Sequence, residues 1–266
     1  MSDWFDQLLN LLHPDRLLRD PRATGSGVRV AVIDSGIDRE SIAAKFPTAP
    51  AIDGAIFTGE RSDPLPYQGK ASAPHGTTVA DVILTIAPQT TLFSADVFGP
   101  QGSTEPETVI HAIHHSLDVW NCRVINLSLG VAEARLQQPA RRHLFQRAIE
   151  EAYHRGVVVV AAAHNEHPLS RSFPAAFGAP LFSVDKALFD DPFEIRYQPL
   201  EEVEFQAHAR GYIGPFAREP ATSWAAPHLT GVAARLLALQ PDLKPFEVKS
   251  LLSWMTRARA RGPSHG

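Results

Sequence analysis

Residues 28–38, VRVAVIDSGID, decide the fold. Apart from Arg29 the run is apolar and rich in β-branched residues. It ends in the carboxylate of Asp34, and Ser-Gly follows. A continuous apolar run of this length, closed by turn residues, predicts a strand buried on both faces. The theme returns in TLFSADVFG (91–99), RVINLSLG (123–130) and VVVVAAAHN (157–165). Between these runs lie GTTVADVILTIA (76–87), ETVIHAIHHSLDVW (107–120) and LFQRAIEEAYHRG (144–156), with apolar residues at helical spacing. Strands alternating with helices predict βαβ units, and so a three-layer α/β/α domain around a mostly parallel central sheet. Residues 185–214 read instead as turns with short alternating strands at a sheet edge. A long apolar helix begins at Thr222 or Ser223, and a last one, FEVKSLLSWM (246–255), follows Pro245.

Such sheets bind ligands outside the carboxyl ends of their strands. Asp34, Ser128 and Asn165 all stand at those ends. Composition narrows the partners. The net charge of −4 advertises no basic surface, so no nucleic acid is expected. No run approaches the ~20 apolar residues that span a bilayer, so no membrane is expected either. The opening MSDWFDQLLNLLHPDRLLRDP lacks a signal-peptide core, and Cys122 is the only cysteine. A cytoplasmic, reducing setting without disulfides is the expectation. Trp4, Leu8, Leu9, Leu11 and Leu12 form an apolar stripe, which predicts a helical extension over residues 1–24. It either packs on the domain at 25–256 or docks a partner or precursor peptide. Residues 257–266, RARARGPSHG, read as a basic flexible tail.

Three polar residues stand in informative places. A serine hydroxyl is a poor nucleophile until a base removes its proton, and a histidine base needs a carboxylate to hold its tautomer. Asp34 closes a buried strand, where an unpaired carboxylate is costly. His75 and Ser223 each open an apolar helix. Taken singly, each has an ordinary explanation: a turn or helix cap for Asp34, a helix cap for His75, an N-cap for Ser223.

Together, VIDSGID, then HGT, then TSWAAPHLTG resemble the subtilase family of serine peptidases, in motif and in the order Asp, His, Ser. The resemblance spans about residues 27–240. It implies an endopeptidase with Asp34, His75 and Ser223 as catalytic triad, needing no cofactor and taking a peptide or protein substrate. It further implies that Asn165, with the Ser223 backbone N–H, holds the oxyanion. Ser128, Leu129 and Gly130 in VINLSLG would bind substrate backbone as an added strand. Ala163, His164, Ser172 and Phe173 would border the pocket for the P1 side chain.

The chain departs from the family pattern in several places. His164 replaces a glycine before Asn165, Trp224 replaces a methionine after Ser223, and GIDRESIAAKF (36–46) lacks the family's calcium-loop pattern. No calcium is therefore expected. Asp53, Asp63 and Asp96 lack ligand spacing, and His111, His114 and His115 read as a helix face rather than a metal site. No long inhibitory pro-domain is seen, which suggests a specialised processing protease. The competing readings are a subtilase-fold peptide-binding module that does not cleave, and a hydrolase of esters or amides.

Overall fold

In β1 (Arg29–Asp34), Val30 and Val32 face one side while Ala31 and Ile33 face the other, and all four are fully buried. A strand with no wet face must lie inside a covered sheet. Burying each such Val or Ile contributes roughly 1.5–3 kcal/mol of transfer free energy. The computed structural model describes residues 13–59, 63–99, 102–199 and 201–261. After a short helix α1 (Pro14–Leu17) and β1 come α2 (Arg39–Lys45), β2 (Asp53–Ile56), β3 (Leu65–Pro66), α3 (Pro74–Ile86) and β4 (Thr91–Asp96). Next are α4 (Pro106–Asp118), β5 (Val124–Leu127), β6 (Val131–Ala132), α5 (Pro139–His154), β7 (Val158–Ala162) and β8 (Ser172–Phe173). The chain closes with β9 (Phe182–Ala187), β10 (Ile195–Tyr197), β11 (Phe205–His208), α6 (Thr222–Leu239) and α7 (Pro245–Arg261).

The main sheet runs β10-β11-β9-β7-β5-β1-β4-β2-β3. Only its two outermost pairs, β10/β11 and β2/β3, are antiparallel. Helices α3, α6 and α7 pack with Val30, Val32, Val124 and Val160 on one face. Helices α4 and α5 pack with Ala31, Ile33, Ile125 and Leu127 on the other. The three-layer α/β/α expectation is met. β4 and β2 lie on one side of β1, and β5, β7 and β9 on the other. The chain thus reverses its winding at β1, and the crevice at the carboxyl ends of β1 and β5 falls there.

Three sequence expectations need correction or limits. The apolar stripe from Trp4 to Leu12 lies outside the described residues, and within 13–24 the helix is confined to Pro14–Leu17. The tail expected from 257 opens as helix, because α7 continues to Arg261. Ala and Arg are strong helix formers, and cations suit a helix C-terminus. VINLSLG is not an edge strand: β5 is flanked on both sides, by β1 and β7. Ser128–Gly130 leave the sheet, and β6 then pairs antiparallel with β8 in a separate two-stranded sheet. Among the described residues no helix is long and apolar enough to cross a membrane.

Candidate active site

The DSGID and HGT motifs lock together residue by residue. Asp34 is fully buried, and its Oδ1 accepts the Ser35 N–H at 2.7 Å. Helix α3 starts with Pro at its first turn, and its N-cap residue, Ala73, supplies no side-chain bond. Ser35 Oγ takes that part instead, accepting the Gly76 N–H at 3.0 Å while donating to the Ala73 carbonyl. Thr77 Oγ1 accepts the Asp38 N–H at 2.8 Å. The helix can come this close only because residue 76 is glycine. A Cβ there would lie 2.2 Å from the Gly36 carbonyl oxygen and 3.2 Å from Asp34 Oδ1. His75 therefore does not cap its helix. It is held over the end of β1, with Nδ1 2.9 Å from Asp34 Oδ1 and 3.0 Å from Oδ2.

Burial of the His75 ring works against its charged form, but the attraction and hydrogen bond of Asp34 outweigh it, and the pKa rises above the ordinary 6.5. A base must be neutral to accept a proton. The acid limb of kcat/KM is therefore expected to lie above pH 6.5, activity falling tenfold per unit below it. A pH–rate profile with its limb at or below 6.5 would contradict this. Because the folded pKa is the higher one, the pair stabilises the fold fully below pH 6.5, and that stability is lost as pH rises through the folded value.

Ser223 lies in the first turn of α6. The N-cap there is Ala221, without a side-chain bond, so Ser223 is no cap. Its Oγ donates to the Ser128 carbonyl at 3.2 Å, and no hydrogen bond joins it to His75. Asn165 is held by the neighbouring Thr222, whose N–H and Oγ1–H both donate to Asn165 Oδ1, at 2.9 and 3.1 Å. With Oδ1 occupied, the Asn165 side-chain NH2 is a donor without a protein partner among the described residues. Lys186 Nζ donates to the Asn165 carbonyl at 2.5 Å.

Two clefts flank the segment Ser128–Ala132. One, of about 550 Å³, takes in Asp34, His75 and the loop at Gly102–Thr104. The other, of about 660 Å³, takes in Ala163, His164, Asn165, Ser172, Thr222 and Ser223. Ser128, Leu129 and Gly130 form the wall common to both. Phe173, expected beside the P1 pocket, does not line either cleft. It alternates with Ser172 in β8, and its fully buried ring packs on Phe177, 4.9 Å between centroids. Trp224, which follows Ser223, lies against His75, with ring centroids 4.9 Å apart and planes at 36°. The half-buried Phe216 packs on the buried Trp224 at 5.0 Å, so the His75 ring rests on an indole that a second ring holds in turn.

Sequence reasoning gave Ser35, Thr222 and Lys186 no part in the site, since the contacts that give them one reach residues far away in the chain. It also missed the buried His228, whose Nδ1–H donates to the Trp224 carbonyl at 2.7 Å and whose Nε2 accepts from Tyr212 Oη at 2.8 Å. Burial pushes His228 down to about 3, which keeps it neutral. Among the described residues no group of three or more His, Cys, Asp or Glu could hold a metal ion. His111 and His115 meet Phe57 edge-on, and His114 Nε2 lies 3.5 Å from Glu151.

Residues 25–188 match the model of the subtilase family. Subtilisin E of Bacillus subtilis (strain 168) is 31% identical over 248 residues, covering 86% of this chain. This chain spans 60% of the length of subtilisin E. A subtilisin of Bacillus pumilus is 30% identical, with 86% of this chain and 83% of that protein covered. Among solved structures, the S41 psychrophilic protease superposes with a TM-score of 0.70 at 23% identity, over 90% of this chain and 87% of the other. Sphericase gives 0.69 at 22% identity, over 90% and 87%.

Proposed function

Because this chain belongs to the subtilase family, we propose that it is a serine endopeptidase acting through Ser223, His75 and Asp34. Ser223 Oγ attacks a peptide carbonyl carbon and its proton passes to His75 Nε2. The proton then goes to the leaving amine nitrogen as the C–N bond breaks, leaving an ester on Ser223. Water attacks that ester, His75 takes the water's proton, and Ser223 recovers it as the acid leaves. Asn165 Nδ2 and the Ser223 N–H stabilise the oxyanion of both tetrahedral intermediates. The observation that carries this reading is the Asp34–His75 contact at a helix start, across the cleft wall from Ser223 and Asn165.

The finer reading is a specialised cytoplasmic processing protease whose peptidase domain occupies residues 25–256. It draws on the lone Cys122, which leaves no intrachain disulfide to form.

A second reading has one observation in its favour. Ser223 donates to the Ser128 carbonyl rather than to His75, as in a peptide-binding module that does not cleave. A fluorophosphonate probe separates the two, since it reacts only with an activated serine. A single adduct by intact mass on the wild type, and none on Ser223→Ala, is expected. A folded wild type without an adduct favours the binding module.

A further inference from the structure

Asp34 holds the His75 ring by its Nδ1 edge alone, while Ser223 Oγ is turned away to the Ser128 carbonyl. A ring held at one edge can still tilt about that edge. Here its face is covered by Trp224, in a tilted stack with centroids 4.9 Å apart. The helix does not call for this residue, since methionine is the better helix former. Yet the indole is built in. Trp224 is 3% exposed, and Phe216 packs on it at 5.0 Å. Its backbone carbonyl accepts the Nδ1–H of His228 at 2.7 Å, and Tyr212 Oη donates to His228 Nε2 at 2.8 Å. His228 is fully buried, so this bracing belongs to the core and not to the surface.

We propose that Trp224 is a positioning residue for the base, fixing the plane of the His75 ring and stabilising the imidazolium that forms when the Ser223 proton arrives. The inference rests on the peptidase reading above. An indole face carries negative potential and attracts a cation within about 6 Å of its centre. During turnover that cation exists only between arrival of the Ser223 proton and its departure with the leaving amine. The attraction therefore favours the transition state over the bound substrate. Other charges do not compete with it. Asp34, from β1, is the charged group that acts on His75. Behind the indole, burial pushes His228 down to about 3 and Tyr212 up to about 12, so both are uncharged near neutral pH. The Asp81 carboxylate that acts on Tyr212 is paired with Lys45 at 2.5 Å.

Two measurements on the full chain test this. In peptide hydrolysis, Trp224→Met is expected to lower kcat by about threefold to thirtyfold. KM should stay within about twofold. Its acid limb should fall by about half a pH unit or more, with Trp224→Phe between it and the wild type, because a smaller aromatic face remains. Tm is recorded alongside, since lost packing lowers Tm without ordering the limbs by aromatic face. The second measurement needs no cleavage. A protonated imidazole quenches the emission of an indole it touches, so tryptophan fluorescence should fall as His75 gains its proton. Trp120 lies 4.7 Å from His115 and adds a step of its own. The step that counts is the one lost in both Trp224→Phe and His75→Gln, and its midpoint should match the acid limb. Acid limbs that coincide in wild type and variants, or no such step, overturn the inference and leave the peptidase reading standing. Absence of both cleavage and fluorophosphonate labelling of Ser223 in the wild type overturns the peptidase reading, and the catalytic part of Trp224 with it.

Discussion

Ser223→Ala is expected to lower kcat for peptide hydrolysis by about 10⁶, His75→Ala by a similar factor, and the double variant by no more than either. That size, and that failure to add, are what removal of these groups from a subtilisin has shown. The physical reason is that the hydroxyl and the imidazole act as one nucleophile: without the base the hydroxyl keeps its proton, and without the hydroxyl the base has nothing to activate. What survives is roughly 10³–10⁴ over water, supplied by Asn165, the Ser223 N–H and substrate binding. Stability should barely move. Ser223 is not the N-cap of α6, and its side chain makes a single bond, to the Ser128 carbonyl, worth about 1 kcal/mol. Reading kcat and Tm on the same preparations separates chemistry from folding. A loss in kcat below tenfold for Ser223→Ala would remove Ser223 from the role of nucleophile.

The sheet was legible because its strands are buried on both faces. Runs such as VRVAVID and VVVVAAA have no polar alternation to confuse with a wet sheet, and the helices between them carry clean apolar stripes. The glycine of HGT was legible as motif, but its reason was not: a Cβ on Gly76 collides with the carbonyl of Gly36, forty residues earlier in the chain. Contacts of that reach leave no local trace. The same holds for Thr222, read only as a helix start, whose backbone and hydroxyl fix the amide of Asn165. Phe173 was misassigned because sequence adjacency to Ser172 says nothing about face; in β8 the two side chains point to opposite sides, one to the cleft and one to the core. Glu166 lines the cleft because the turn after Asn165 is set by the His164 ring accepting the Glu166 N–H, a side-chain contact that residue order does not show. The helix end at Arg261 was lost to a rule of thumb that basic, Gly/Pro-containing termini fray, although RARAR itself favours helix.

Asp34→Asn tests the same site through a tautomer, and is expected to lower kcat by about 10⁴, as the equivalent change does in a trypsin-type triad. The hydrogen bonds around Asp34 dictate which way the new amide faces. Oδ1 must remain an oxygen, since it accepts the Ser35 N–H at 2.7 Å. The asparagine NH2 then occupies the Oδ2 position, 3.0 Å from His75 Nδ1. A donor there opposes a proton on Nδ1, which Oδ1 at 2.9 Å by itself would accept, and so shifts the ring toward the tautomer protonated on Nε2, the nitrogen that should receive the proton of Ser223. The ring stays in place, packed on Trp224, but in the wrong protonation state. The pH profile adds a readout that mere loss of packing does not move. With the carboxylate gone, burial alone acts on His75, and burial opposes the charged ring. The acid limb should therefore fall from above 6.5 in the wild type to below it in the variant, even as the plateau drops. A kcat within tenfold of wild type, or an acid limb that stays where it was, would mean that Asp34 and His75 are a structural pair and that the base of this site lies elsewhere.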